Sequence, residues 1–283
     1  MSNYWRSPIS GDSNTPNTAG VSGISSTYNG VLGITTADGH SGVAGVSDTG
    51  NGHGIYGRSA QNDGVVGTTK GNGKAGIAGV NEESNGNGVY GRSKNGNGVV
   101  GYSSSNIHAG IAGTNDNSAG VGVYGKGGRL AGMFEGNVHV TGDIVLSNAD
   151  CAEDFDIFEA DTIEPGTVMI FGKGNSLQQS QYAYDKRVVG VISGAGNYKP
   201  GIILDKQQSQ INRKPVALMG KVYCKVDANY ASIEVGDLLT TSDTPGHAMK
   251  ANDPLKSFGT VIGKAMEPIK EGQGLIPILV ALQ

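Results

Sequence analysis

From Gly20 to about Phe134 the chain repeats one short pattern: Gly, an aliphatic residue, a variable residue, Gly. Units open at Gly20, Gly30, Gly42, Gly54, Gly64, Gly76, Gly88, Gly98, Gly110 and Gly122, with a degenerate copy at Gly132. The openings are 10 or 12 residues apart in the order 10, 12, 12, so three steps make a cycle of 34. The third position follows that cycle, with Tyr at 56, 90 and 124, Val at 66 and 100, and Ala at 44, 78 and 112. A fixed period of this size marks a solenoid or fibre. Such units are too short and too glycine-rich for helix, and Val, Ile and Tyr favour extended chain. The aliphatic second position is expected to face a continuous interior, through Val21, Val31, Val43, Ile55, Val65, Ile77, Val89, Val99, Ile111 and Val123, joined by Val121 just before the last opening.

One unit buries about two apolar side chains, far too few to stand alone, so stacking has to supply the rest. The expected arrangement is an intertwined homotrimer, a β-helix or β-prism shaft over residues 20–131. Three chains with strands about 4.8 Å apart advance roughly 14 Å per circuit, giving a shaft on the order of 45–50 Å. A three-sided single-chain solenoid and disordered low-complexity chain are the alternatives. Disorder sits poorly with aliphatic positions held in phase.

Outside the repeat the pattern changes twice. Residues 1–19 are polar apart from Tyr4 and Trp5, a tail that could serve as a docking peptide for a particle or baseplate component. Residues 132–148 alternate, Val138 and Val140 followed by Ile144 and Leu146 around Thr141-Gly142-Asp143, which predicts a hairpin closing the shaft. That alternation turns His139 outward; facing inward, it would place three imidazoles of a trimer at one axis. From Ala149 short β runs separated by turns predict a barrel or sandwich head over 149–283. The runs are Thr167–Phe171, Arg187–Ile192, Gly201–Leu204, Val216–Val226, Asp237–Thr241, Thr260–Ala265 and Gly274–Leu282. The whole reads as an all-β chain.

Composition sharpens the boundary: 34 of the 48 glycines fall in residues 1–150. A net charge of −4 and a pI near 5.7 give no footprint for nucleic acid. No apolar run approaches a membrane span, and Met1–Arg6 lacks the apolar stretch of a secretory signal. The expectation is synthesis in the cytoplasm, with export only as part of a larger particle. Cys151 and Cys224 are too few for a disulfide framework. They read as two buried thiols or one bridge.

The segment Phe134-Glu135-Gly136-Asn137-Val138 with Val140-Thr141-Gly142-Asp143-Ile144 resembles the stretch that closes the shaft of phage tail-fibre-like proteins. The glycine units upstream are similar to repeats of trimeric fibres of phages and related bacterial particles. This resemblance implies a homotrimer with the C-terminal part as its head, on the extracellular face of a phage, phage-like particle or cell surface. Asp150-Cys151-Ala152-Glu153-Asp154-Phe155, Gly236–Ser242 and Pro245–Ala251 are similar to a module that ends many uncharacterised bacterial repeat proteins; that resemblance implies no activity.

No nucleophile elbow, phosphate loop or spaced metal-ligand pair occurs, so neither enzyme, cofactor nor metal is expected. The acidic opening of the head, Asp150 to Glu164, reads as a solvated face before a cation site, because the calcium-loop spacing is missing. Pro245-Gly246-His247, with Asp237 and Asp243 near in sequence, is the one place where His and carboxylates gather. Tyr182, Tyr184, Tyr198 and Tyr230 are candidate contacts for a cell-surface glycan or envelope receptor, aromatic side chains being favoured at binding surfaces. A purely structural spike or coat protein is the alternative, and a sugar-cleaving fibre enzyme the third reading.

Overall fold

The computed structural model describes residues 11, 19–48, 51–82, 86–174, 176–207 and 212–281. Tyr4 and Trp5, proposed above as a docking peptide, lie outside them. The chain divides into two compact units, Met1–Tyr124 and Gly125–Gln283.

In the first unit the repeat is built on crossings between glycines. The closing glycine of each unit lies against the opening glycine of the next: Gly23 with Gly30, Gly33 with Gly42, Gly45 with Gly54, and so on to Gly113 with Gly122. A Cβ on any of these nine closing glycines would sit 2.2–2.7 Å from the carbonyl oxygen of its partner. No side chain fits there, which is why the pattern demands glycine at both ends. The position-two aliphatic next to the opening glycine lies over the same crossing, as Val43 does at Gly33 and Ile77 at Gly67. Gly11 meets Gly20 in the same way, so the series reaches back beyond residue 20.

The 34-residue cycle reappears in the loops between crossings. Ser25, Ser59 and Ser93 each accept a backbone N–H two or three residues on with the side-chain oxygen. Thr35, Thr69 and Ser103 do the same for the second loop class. In the third, the side chains of Ser47, Asn81 and Asn115 lie beside Gly52, Gly86 and Gly120. Such side-chain turns are how Ser, Thr and Asn hold loops without a ladder.

What this region lacks is as informative. Among the described residues from 11 to 148, only Lys74 to Gly71 and Gly120 to Asn117 are joined by backbone–backbone hydrogen bonds, and no strand forms. Folded chains make about one hydrogen bond per residue. All eleven expected interior residues are exposed, from 61% at Val65 to 75% at Val123. Of the described residues in this stretch only Ser103 is not classed as exposed. A single chain thus forms no solenoid with a core of its own. The expected hairpin at 132–148 is also corrected: its residues carry no ladder, and Val138, Val140, Ile144 and Leu146 stand 46–69% exposed.

From Asp150 the chain becomes a dense β structure. Its strands are β1 (Asp150–Asp156), β2 (Val168–Phe171), β3 (Leu177–Gln179), β4 (Val188–Ile192), β5 (Pro200–Leu204), β6 (Arg213–Asp227), β7 (Leu238–Thr241), β8 (Ala248–Lys250), β9 (Val261–Ala265) and β10 (Gln273–Ala281). One helical turn, α1 (Pro254–Ser257), is capped by the Asp253 carboxylate. The 15-residue β6 organises the whole. One of its edges pairs β4 and then β10, and the other pairs β1 and then β8. The ring β6–β10–β9–β7–β8 closes on itself as a five-stranded barrel. The hand-over from one sheet to the next falls near Gly220 (φ +103°), where a Cβ would come within 3.1 Å of Asp150 Cα.

Alternation along β6 sends Val222, Cys224 and Val226 into the barrel, where they pack with Leu239, Ile262, Ile276, Ile278 and Val280. A second core of Ile157, Met169, Leu177, Ile192 and Val216 lies between β1, β2, β3 and β4. Two pairings, β1 with β5 and β6 with β8, are parallel, so the sheet is mixed. Both cysteines are free; Cys224 is buried, whereas Cys151 is only half-buried, which corrects the reading of two buried thiols.

Candidate recognition surface

The loop from 181 to 187 connects β3 to β4 and is laid onto the β7–β8 hairpin. Thr241 O accepts from Tyr184 N (3.2 Å), and Thr241 Oγ1 from Asp185 N (2.8 Å). Asp243 Oδ1 accepts from Ala183 N at 2.9 Å. Tyr184 has φ +56°, an unusual backbone for an aromatic residue. Its phenol oxygen accepts from Asp253 N at 3.0 Å, which ties the loop to the cap of α1. The bond from the Arg187 guanidinium holds the Asp185 carboxyl below its ordinary pKa. Tyr184 is thus a clamp, and its neighbour Tyr182, 63% exposed, is the residue that faces solvent.

Tyr230 approaches the same hairpin from the β6–β7 loop. Its hydroxyl lies 3.3 Å from Thr244 Oγ1, which donates to Asp227 Oδ2 at 2.7 Å. Gln273 Nε2 donates to the same oxygen at 3.1 Å. Burial works to raise the Asp227 pKa, but these bonds and the Asn229 N–H outweigh it and hold it low. Tyr182 and Tyr230 therefore flank one hairpin, on a scaffold of backbone bonds and a carboxylate hub.

Tyr198 belongs elsewhere. It packs on Tyr223 at 5.2 Å between ring centroids and under Lys221 Nζ, also 5.2 Å away. It borders a hollow of about 300 Å³ with Leu146, Asn148, Lys199 and Lys221. The four tyrosines thus form two groups, not one site.

The His–carboxylate gathering dissolves in three dimensions. His247 Nδ1 is 2.8 Å from Pro245 O, its own turn. Asp237 pairs with Lys250 at 2.7 Å, and Asp243 serves Ala183. The acidic opening is not a solvated face throughout. Asp150 and Asp154 point inward from β1 and are 2% and 6% exposed. Asp150 Oδ2 accepts from Ser193 Oγ at 2.7 Å, while its Oδ1 is buried with no partner. Burial pushes the Asp150 carboxyl above its ordinary pKa. Among the described residues no group of three His, Cys, Asp or Glu side chains is placed to hold a metal ion. No described helix is long and apolar enough to cross a membrane.

Sequence reasoning missed an exposed apolar strip, Ile202, Met219 and Leu279, carried on β5, β6 and β10, with β1 between the first two. It also missed Phe158, 58% exposed beside a hollow of about 250 Å³ with Lys173, Ser176 and Gln178. Alternation in β6 breaks at Val216 and Ala217, both buried, and runs on through Gly220, which leaves Met219 on the outward face with Lys221.

No family model matches the chain, and no curated protein matches it. Among solved structures it is similar to the pre-mature gene product 12 of bacteriophage phi29. The identity is 15% over 52% of this chain, with a TM-score of 0.39. The match covers 23% of that protein, under a quarter of its length. It is also similar to the C-terminal fragment of the same gene product, at 16% identity over 47% of this chain and 100% of the fragment, with a TM-score of 0.33. A third is the N base of the bacteriophage phi29 head fiber gp8.5, at 18% identity over 48% of this chain and 93% of that one, with a TM-score of 0.24.

Proposed function

We propose that this chain is the subunit of a homotrimeric fibre on a phage, phage-like particle or cell surface, with a non-enzymatic head that recognises a glycan or envelope component. The observation that carries the reading is the state of the repeat in one chain. Its aliphatic row stands uncovered and its backbone is all but unpaired, yet the crossings recur with a fixed cycle. An exposed apolar row this regular is the kind of surface that another chain covers, and identical chains supply that cover in phase. The test is absolute mass by light scattering on a sizing column. A species near three times 28.9 kDa, eluting early for its mass, is expected; a compact single chain overturns the reading.

Recognition is assigned to the hairpin side of the barrel, where Tyr182 and Tyr230 offer aromatic surface on a rigid frame. Tyr182→Ala combined with Tyr230→Ala is expected to lower binding to cells or a glycan array at least tenfold without changing the assembled mass. Unchanged binding would turn attention to a purely structural spike. That second reading is favoured by the internal engagement of Tyr184 and Tyr198.

A further inference from the structure

We infer that in the assembled fibre the neck of one copy, residues 138–143, lays its apolar side chains against the head of a neighbouring copy, beside the free edge of β5. The inference rests on the self-association proposed above and adds where neck and head meet between copies.

Two deficits of the chain are complementary. Among the described residues β5 pairs only with β1, leaving an edge that carries Ile202 and Leu204 at 44% and 49% exposure. An apolar strand edge left bare is a pairing template. The neck is the opposite case, an alternating extended segment with no backbone–backbone hydrogen bond among its residues and with Val138 and Val140 uncovered.

The register aligns Ile202, Cys151, Met219 and Ala281 in one row across β5, β1, β6 and β10. A hollow of about 280 Å³ lies on this row. The chain's own Ile144 and Leu146 wall one side of it and still leave Met219 64% exposed. One step along, Lys221, Leu279 and Lys264 form the next row. The neck carries Asp143, so its charge opposes that of the rim. A second copy is the fitting occupant because the neck adjoins the repeat in sequence, and copies associating through the repeat bring their necks together.

Cys151 provides the readout, since Cys224 is buried with its thiol pushed up to about 12. In the full-length chain carrying Val140→Cys, a short bis-maleimide is expected to join chains into species of two and three on denaturing gels. A bridge within single chains, or no bridge, on protein whose mass is still threefold overturns this inference and leaves the trimer standing. A single-chain mass before any cross-linking overturns the trimer first. Independently, Met219→Asp should raise the alkylation rate of Cys151 about tenfold with the assembled mass retained. Wild-type alkylation as fast as that of Met219→Asp overturns the inference.

Discussion

The repeat and the head use the same kinds of residue to opposite ends. In the head, Val222, Val226, Ile278 and Val280 are at most 1% exposed and sit in a closed barrel. In the repeat, Val and Ile at equally strict positions are 61% exposed or more. The head's strands pair with one another, whereas the repeat's backbone pairs with almost nothing in its own chain. The same apolar periodicity thus marks a buried face in the head and an exposed row in the repeat, so the pattern alone does not tell what the chain itself will bury.

Experiments can break this contrast or sharpen it. The largest effect is expected from Ile77→Asp with Val89→Asp, which puts charge into the aliphatic row. Light scattering should then report single chains, while the far-UV spectrum of the head persists; a threefold mass would deny the row its role. Next, Ile278→Ala opens the barrel core and should destabilise the head by about 2–5 kcal/mol. Calorimetry should show its transition moving to lower temperature and the repeat's transition staying in place. If both move together, the two regions are one cooperative unit.

A smaller effect separates them without mutation. The repeat's melting temperature should rise with protein concentration, because unfolding releases copies. A head that buries its own core should melt more nearly independently of concentration. The smallest effect is tied to pH. A carboxyl with a raised folded pKa binds more protons folded than unfolded, so its contribution falls as pH rises from the unfolded value through the folded one. Asp150→Asn should therefore stabilise the head at neutral pH and flatten that decline. Asp185, Asp227 and Asp237 carry lowered values, and the stability they add is lost as pH falls through their folded pKa. A variant less stable than wild type at neutral pH would show that the ion, not the acid, is what the site holds.

Much of this contrast was legible in the sequence. The 34-residue cycle is written in Tyr56, Tyr90 and Tyr124 and returns as hydrogen bonds at Ser25, Ser59 and Ser93. Seven of the ten head strands coincide with apolar runs. The three missed each have a reason. β1 hides behind Asp150 and Asp154, inward-facing acids that read as a solvated face. β3 and β8 are three residues long and carry little pattern. The parallel pairings and the change of partners along β6 depend on contacts distant in sequence. The stretch 132–148 reads as a hairpin because it alternates, but alternation does not by itself supply a ladder, and none forms among its residues in this chain. The tyrosines were found, but their separation into a clamp, a stack and two outward side chains rests on partners such as Asp253 N and Tyr223.

The crossings between glycines bear on how such a chain changes over generations. Loops that span seven residues, as from Gly23 to Gly30, and nine, as from Gly33 to Gly42, close at the same contact with the same 2.3 Å approach. Loop length is thereby uncoupled from the geometry of the next unit. One closing contact thus serves loops of two lengths, so a loop can lengthen, shorten or change its residues without moving the glycines that bound it.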